Sequence, residues 1–368
     1  MAPAARDLRF LAAAFRLAAR GLGRVWPNPA VGCIIARGER VLGRGWTQPG
    51  GRPHAETMAL AAAGEAAAGA TAYITLEPCA HYGRTPPCTE ALIAAGIARV
   101  VSTLEDPDAR VSGAGFARLR EAGIELVTGL MEAEARAANI GFLTRLAQGR
   151  PMVTLKLAVT IDGRIATGSG ESRWVTGLEA RRYAHLLRAR HDGILIGAGT
   201  VRADDPQLDV RDLGLAEASP VRIVADGSLS LPLTSRLVAT ARQVPLWIMH
   251  GPAADPARAA LLAEGGAELI ECPADADGRL DLDALLRRLG ERGMTRLLCE
   301  GGSRLAAALV ARRTVERLVT VSAGKLVGGD GVPAVGPLGL ARLAEAPPFR
   351  LVESRLIGAD LLAVWESA

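Results

Sequence analysis

One histidine, one glutamate and two cysteines constrain this chain more than any other feature. Pro53-His54-Ala55-Glu56 is followed by Glu77-Pro78-Cys79, and a second thiol arrives at Cys88. One imidazole and two thiolates make three zinc ligands and leave the fourth tetrahedral position open. An open position separates a catalytic zinc site from a closed structural one. Any fold the chain adopts must bring these residues to one point.

The local pattern says how. His54–Ala63 is rich in Ala, Leu and Met and ends at Gly64, which predicts a helix opened by His54 and closed by glycine. Ala70–Leu76 predicts a strand that delivers Cys79, and Cys88–Ala95 a short helix opened by Cys88. A helix N-terminus and a metal both lower a thiol pKa, so both sulfurs are expected to bind as thiolates. Glu56, two residues past the histidine, is placed to serve water and not the metal. That is the layout of hydrolytic zinc deaminases, in which a non-ligand Glu shuttles protons. The thiol spacing departs from their usual Cys-x₂-Cys. Here eight residues, Ala80-His81-Tyr82-Gly83-Arg84-Thr85-Pro86-Pro87, separate the cysteines.

Further strands are expected at Ala30–Ala36 and Arg40–Trp46 (a hairpin), Arg99–Leu104 and Ile124–Val127, with helices at Phe116–Ala122 and Glu132–Leu146. Alternating strands and helices indicate a three-layer α/β domain. Gln148-Gly149-Arg150-Pro151 breaks the pattern, since proline disfavours helix before it. With 368 residues, two domains are expected, 1–147 and 151–368. The second starts with the β-rich run Met152–Thr160 and alternates again through strands at Gly193–Ile196, Val221–Ala225, Val244–Met249, Glu268–Ile270, Arg296–Leu298 and Leu318–Val321. Helices are expected at Glu179–Arg190, Ala257–Ala263, Leu282–Arg292 and Arg304–Ala311.

Composition narrows the class. No apolar run reaches the roughly 18 residues of a membrane span. The N-terminal stretch carries Arg6, Asp7, Arg9 and Arg16, so it reads as an amphipathic helix, not a signal peptide. Net charge is +4, yet no basic stripe with interleaved aromatics occurs, which argues against nucleic acid and suits a small anionic substrate. Five cysteines and no secretion signal point to a reducing, cytoplasmic compartment. A nucleic-acid deaminase and a non-catalytic zinc module remain the competing classes.

In the second domain, Gly197-Ala198-Gly199 and Glu300-Gly301-Gly302-Ser303 each lead a strand into a helix. Such glycines expose N–H groups that suit a phosphate, but neither turn forms a Rossmann fingerprint. Arg188 and Arg211 suit bidentate pairing with a ribose phosphate.

The run from Pro78 to Cys88, with Pro27-Asn28-Pro29-Ala30-Val31-Gly32 upstream, resembles the bifunctional deaminase/reductase of riboflavin biosynthesis. The segments Lys156–Arg164, Gly170–Trp174, Gly193–Pro206 and Leu297–Ser303 resemble its reductase half, so the likeness covers nearly the whole chain. It implies a cytidine-deaminase-like three-layer α/β/α domain followed by a dihydrofolate-reductase-like α/β domain. It implies zinc on His54, Cys79 and Cys88, with Glu56 catalytic. Asn28, His81 and Arg84 would lie near a phosphoribosyl pyrimidine, while Tyr82 stands where the family often has a second histidine. Ala158, Trp174, Thr200 and Asp204 would contact NADPH, and the turn at Gly302, Ser303 and Arg304 would hold its pyrophosphate. Ser172, Arg188, Leu208, Arg211 and Glu300 would contact the reductase substrate, with Asp204 and Glu300 as candidate proton donors. A homo-oligomer is the expected assembly.

Overall fold

The structure, a computed structural model, describes residues 5–82, 86–108 and 111–368. They form two compact units divided between Gln148 and Gly149.

The first unit begins with helix α1 (Ala5–Ala18), whose Phe10, Leu11 and Ala14 pack on the sheet. Its Asp7 is buried and accepts from the Tyr73 hydroxyl at 3.1 Å and from two Arg99 nitrogens at 2.8 and 3.1 Å. The Arg99 bonds hold that carboxyl below its ordinary value against the opposing effect of burial. The hairpin of β1 (Gly32–Arg37) and β2 (Arg40–Trp46) follows, turning at Gly38 with a φ of +58°. Then come α2 (Ala55–Ala63), β3 (Thr71–Ile74), α3 (Cys88–Ala94), β4 (Arg99–Ser102), α4 (Ala114–Glu121), β5 (Glu125–Val127), α5 (Glu132–Ala138) and α6 (Ile140–Gln148).

The sheet runs β2-β1-β3-β4-β5, with β1 antiparallel to both neighbours and β3, β4 and β5 parallel. Alternation along β1 builds the layers. Cys33 and Ile35 join Ala55, Ala59, Leu92 and Leu119 on one side, while Ile34 and Ala36 join α1 on the other. The three-layer α/β/α arrangement expected from the sequence is present.

Two glycines set how closely α2 lies. A Cβ on Gly43 would stand 2.0 Å from the Ala59 carbonyl oxygen, and one on Gly45 would stand 2.0 Å from that of Ala55. Being two apart on a strand, both face the same way. The backbone of α2 therefore rests on the backbone of β2.

One expected element is different. The single helix predicted over Glu132–Leu146 is two, α5 and α6, parted at Asn139. The Asn139 side chain is buried and its carbonyl oxygen accepts from the Ala30 N–H at 3.1 Å. The break turns a polar side chain inward to hold the segment leading into β1.

The second unit carries a nine-stranded sheet. Its elements are β6 (Met152–Thr160), β7 (Arg164–Ala166), α7 (Leu178–Ala189), β8 (Gly193–Gly197), α8 (Ala198–Asp204), β9 (Val221–Ala225), α9 (Arg236–Ala239), β10 (Leu246–His250), α10 (Pro256–Glu264) and β11 (Glu268–Glu271). They continue with α11 (Leu282–Glu291), β12 (Arg296–Cys299), α12 (Ser303–Ala311), β13 (Val315–Ala323), β14 (Val332–Pro333), β15 (Phe349–Ile357) and β16 (Asp360–Ser367). The order is β11-β10-β9-β8-β12-β6-β13-β16-β15, parallel as far as β13 and antiparallel beyond it. The central parallel strands are largely apolar and buried, as in β8 (Gly193–Gly197), in keeping with helices on both faces. Asp255 and Asp281 open α10 and α11, each accepting from backbone N–H groups of the first turn.

The sequence reading missed α8 and the β15–β16 hairpin. Arg350 through Leu356 on β15 are all exposed, so no apolar alternation marks the strand. Among the described residues, no helix is long and apolar enough to cross a membrane.

Replacing Gly45 with Ala should lift α2 from β2. The expected cost is about 1–3 kcal/mol, together with weaker metal retention, read by calorimetry and by metal content after dialysis against a chelator.

Candidate active sites

The fold places each member of the sequence-predicted metal set at the end of an element. His54 is the residue before α2, Cys79 lies in the loop after β3, and Cys88 is the first residue of α3. The His54 Nδ1 stands 3.3 Å from Cys88 Sγ and 3.6 Å from Cys79 Sγ. All three donor atoms lie within 4.8 Å of one another. A tetrahedral zinc with bonds of about 2.0–2.1 Å to nitrogen and about 2.3 Å to sulfur separates such ligands by about 3.5–3.8 Å. The spacing therefore fits a zinc ion held by three protein ligands, and no fourth His, Cys, Asp or Glu joins the group among the described residues.

The electrostatics agree. A hydrogen bond from Cys88, helped by His54 and by the Cys88 N–H at 3.3 Å, brings the Cys79 thiol down to about 4. The same sulfur–sulfur bond, together with burial, pushes Cys88 far up. One proton thus serves two sulfurs, and a divalent cation displaces it. The Cys79 interaction raises His54. Glu56, in the first turn of α2, is 3% exposed, and burial raises its pKa. A carboxyl with a raised pKa is suited to accept and return a proton near neutrality.

Asn28 and His81 line the same cavity as His54, Glu56 and Cys79. The Asn28 amide donates to the Gly51 carbonyl at 2.8 Å. His81 Nδ1 is buried with no hydrogen-bond partner. Tyr82 points outward at 78% exposure, and Arg84 lies outside the described residues.

In the second unit the parallel strands β6, β12 and β8 are neighbours, so their C-terminal ends share one edge. Glu300 follows β12 and pairs with Arg188 of α7 through two bonds of 2.8 and 3.0 Å. Lys156 of β6 stands 3.9 Å from the same carboxylate. Burial alone would raise Glu300, but Arg188 and Lys156 outweigh it and hold the group down at about 2. The pairing with Arg188 and Lys156 favours the anionic form of Glu300. Burial lowers Lys156; the sequence reading gave this residue no role.

Arg188 and Arg211 both bond to other groups of the protein here. Arg188 is committed to Glu300 and to the Asp209 carbonyl at 3.1 Å. Arg211 turns back on Asp209 and on Gln207 at 2.6 Å. The Leu208 side chain is 3% exposed and packs in the core, so contact with a ligand at that position falls to its backbone, whose φ is +57°. Ser172 is half-buried in the turn before Trp174.

Thr200 of α8 and Gly302 at the start of α12 come together. A Cβ on Gly302 would lie 3.7 Å from Thr200 Oγ1. No side chain caps α12, which leaves the first-turn N–H groups, from Ser303 and Arg304 onward, without a side-chain acceptor. The Trp174 ring is 62% exposed, with the Arg181 guanidinium 4.4 Å from its centroid. Asp204 ends α8 and its carbonyl accepts from Arg173. Ala158 lies on β6, paired in register with Val321.

Fold and centre together define a zinc-dependent deaminase unit joined to a reductase unit. Residues 4–104 match the cytidine and deoxycytidylate deaminase zinc-binding region, and residues 151–363 match the RibD C-terminal domain. The chain is 41% identical to the riboflavin biosynthesis protein RibD of Escherichia coli over 97% of its own length and 98% of the relative's. It is 38% identical to that of Aquifex aeolicus, with 97% of each covered. Among solved structures, RibD of Acinetobacter baumannii superposes with a TM-score of 0.88 at 36% identity, covering 99% of both chains. The Thermotoga maritima diaminohydroxyphosphoribosylaminopyrimidine deaminase/5-amino-6-(5-phosphoribosylamino)uracil reductase gives 0.85 at 31% identity, again with 99% of both covered. The chain belongs to the RibD family of bifunctional deaminase/reductase enzymes of riboflavin biosynthesis.

Cys88→Ser should leave two strong ligands in place of three. Metal analysis of the purified variant is expected to show zinc well below one per chain, against about one in the wild type.

Proposed function

We propose that residues 1–147 deaminate 2,5-diamino-6-ribosylamino-4(3H)-pyrimidinone 5′-phosphate and that residues 151–368 then reduce its ribosyl group to ribityl with NADPH. The observation that carries this reading is the three-ligand centre of His54, Cys79 and Cys88 with Glu56 buried beside it. A zinc ion held there supplies the Lewis acidity that brings water toward ionisation near neutral pH. Glu56 takes the first proton of the attacking water to the ring nitrogen, and then carries the second, from the newly added hydroxyl, to the departing amine, which leaves as ammonia. Its burial supports this role, because the acid and base forms are then closer in energy at neutral pH. Asn28 and His81 hold the pyrimidine, with the unpartnered His81 nitrogen meeting a polar edge of the ring. Arg84 is assigned to the phosphate by resemblance alone.

In the reductase, NADPH supplies the hydride. Thr200 and the uncapped turn at Gly302, Ser303 and Arg304 take its pyrophosphate, supported by their adjacency and open N–H groups. Ala158, Trp174 and Asp204 complete the cofactor cleft. The Glu300 anion, held by Arg188, orients hydroxyls of the opened ribose; as hydride adds to C1′ of its imine form, the Lys156 ammonium donates one proton to the exocyclic nitrogen and is reprotonated from solvent. Ser172, Leu208 and Arg211 border the substrate.

All five cysteines are free, which suits a reducing cytoplasm. The long edge strand β15, with Leu351, Val352 and Leu356 exposed, supports a homo-oligomer that covers it. Light scattering should then give a mass above the 38.3 kDa of one chain, and a monomer at micromolar concentration would remove the proposal.

Mass spectrometry of the diaminopyrimidine phosphate after incubation tests both halves. Without NADPH, NH should be exchanged for O; with it, two hydrogens should be added. Glu56→Gln should keep its zinc, lose deamination by about 10²-fold or more and still reduce the pre-deaminated compound. A variant that deaminates normally would refute the role of Glu56.

A further inference from the structure

Glu77 lies two residues before Cys79 and is 4% exposed, yet no step of the chemistry uses it. A carboxylate buried at this depth is costly unless donors surround it. Here they do. One oxygen accepts from the N–H groups of Gly115 at 2.8 Å and Phe116 at 3.1 Å. The other accepts from Asp106 and Gly113, both at 3.0 Å. Four backbone donors from one stretch of chain thus converge on one side chain. The Glu77 N–H is itself bonded to the Leu104 carbonyl at 3.0 Å, so the residue is tied at both backbone and side chain.

The far side of that stretch explains why the clamp matters. Asp106, Asp108 and Val111 line the cavity that also holds His54, Glu56 and Cys79. The contact between the two segments is tight. A Cβ on Gly115 would stand 2.1 Å from the Pro78 carbonyl oxygen and 3.0 Å from Glu77 Oε1. The glycine lets the start of α4 press against the Pro78 peptide, and the carboxylate fastens it there. Glu77 therefore fixes the distance between a metal ligand and the opposite wall of the substrate cavity.

We propose that Glu77 is a positioning residue for deamination, holding the wall formed by Asp106, Asp108 and Val111 in register with Cys79. This rests on the deaminase assignment above. The glutamine isostere keeps the shape but turns an NH₂ group toward two N–H donors, so one end of the clamp is replaced by repulsion. The wall then shifts while the metal ligands stay.

The test is steady-state deamination of the diaminopyrimidine phosphate by full-length wild type and Glu77→Gln, with zinc content and reduction of the pre-deaminated compound measured alongside. The expected result is zinc retained, reduction unchanged, and kcat/KM for deamination down by roughly tenfold to hundredfold, most of it in KM. Gly115→Ala, which leaves the carboxylate intact, should move KM in the same direction, and it decides the matter if the glutamine variant does not fold. An unchanged KM in both variants would overturn the proposal. So would loss of zinc with a fall in kcat at constant KM, since Glu77 would then support Cys79 alone. A wild type that releases no ammonia would overturn the deaminase assignment itself, which separates the two failures.

Discussion

The first unit depends on keeping a carboxyl group, Glu56, in a dry place beside two sulfurs. Removing such a group from water is unfavourable, and its raised pKa registers that cost. The surrounding fold offsets it. The His54 imidazole favours the charged form of Glu56 and works against the effect of burial. The same pressure that makes Glu56 expensive to bury makes it useful. A group solvated by water would give up its proton too early to return it to a leaving amine.

Much of this was legible from residues alone. His54, Cys79 and Cys88 were recognisable because metal ligation demands particular atoms, and those atoms belong to few side chains. The helix from Ala55 followed from composition and the glycine after it, and the hairpin before it from two apolar runs split by Gly38. Glu77 was not legible, because its partners are backbone N–H groups and any sequence supplies those. Asn139 was missed for the same reason: it reads as an ordinary helix residue until its bond to Ala30 is seen. Asp7 was taken for a charge on a helix face, although it is a buried anchor for Arg99 and Tyr73.

In the second unit the register of parallel strands decides what meets what. The register of β6 on β12 sets Lys156 beside Glu300, and Thr200 of α8 meets Gly302 at the start of α12, although the chain separates the members of each pair widely. The sequence marked the glycines but could not say that Arg188 spends both its terminal nitrogens inside the protein. The pairing of Arg188 with Glu300 favours the charged form of Glu300.

The contact of α2 on β2 through Gly43 and Gly45 has a mechanical consequence. Side chains between a helix and a sheet act as a compliant layer, since each rotamer gives a little. Two bare glycines remove that layer, and the helix that presents His54 and Glu56 is seated on peptide planes. The positional tolerance of the metal ligand is then set by covalent geometry and backbone packing. Glu56, two residues along on the same helix, inherits the same stiffness.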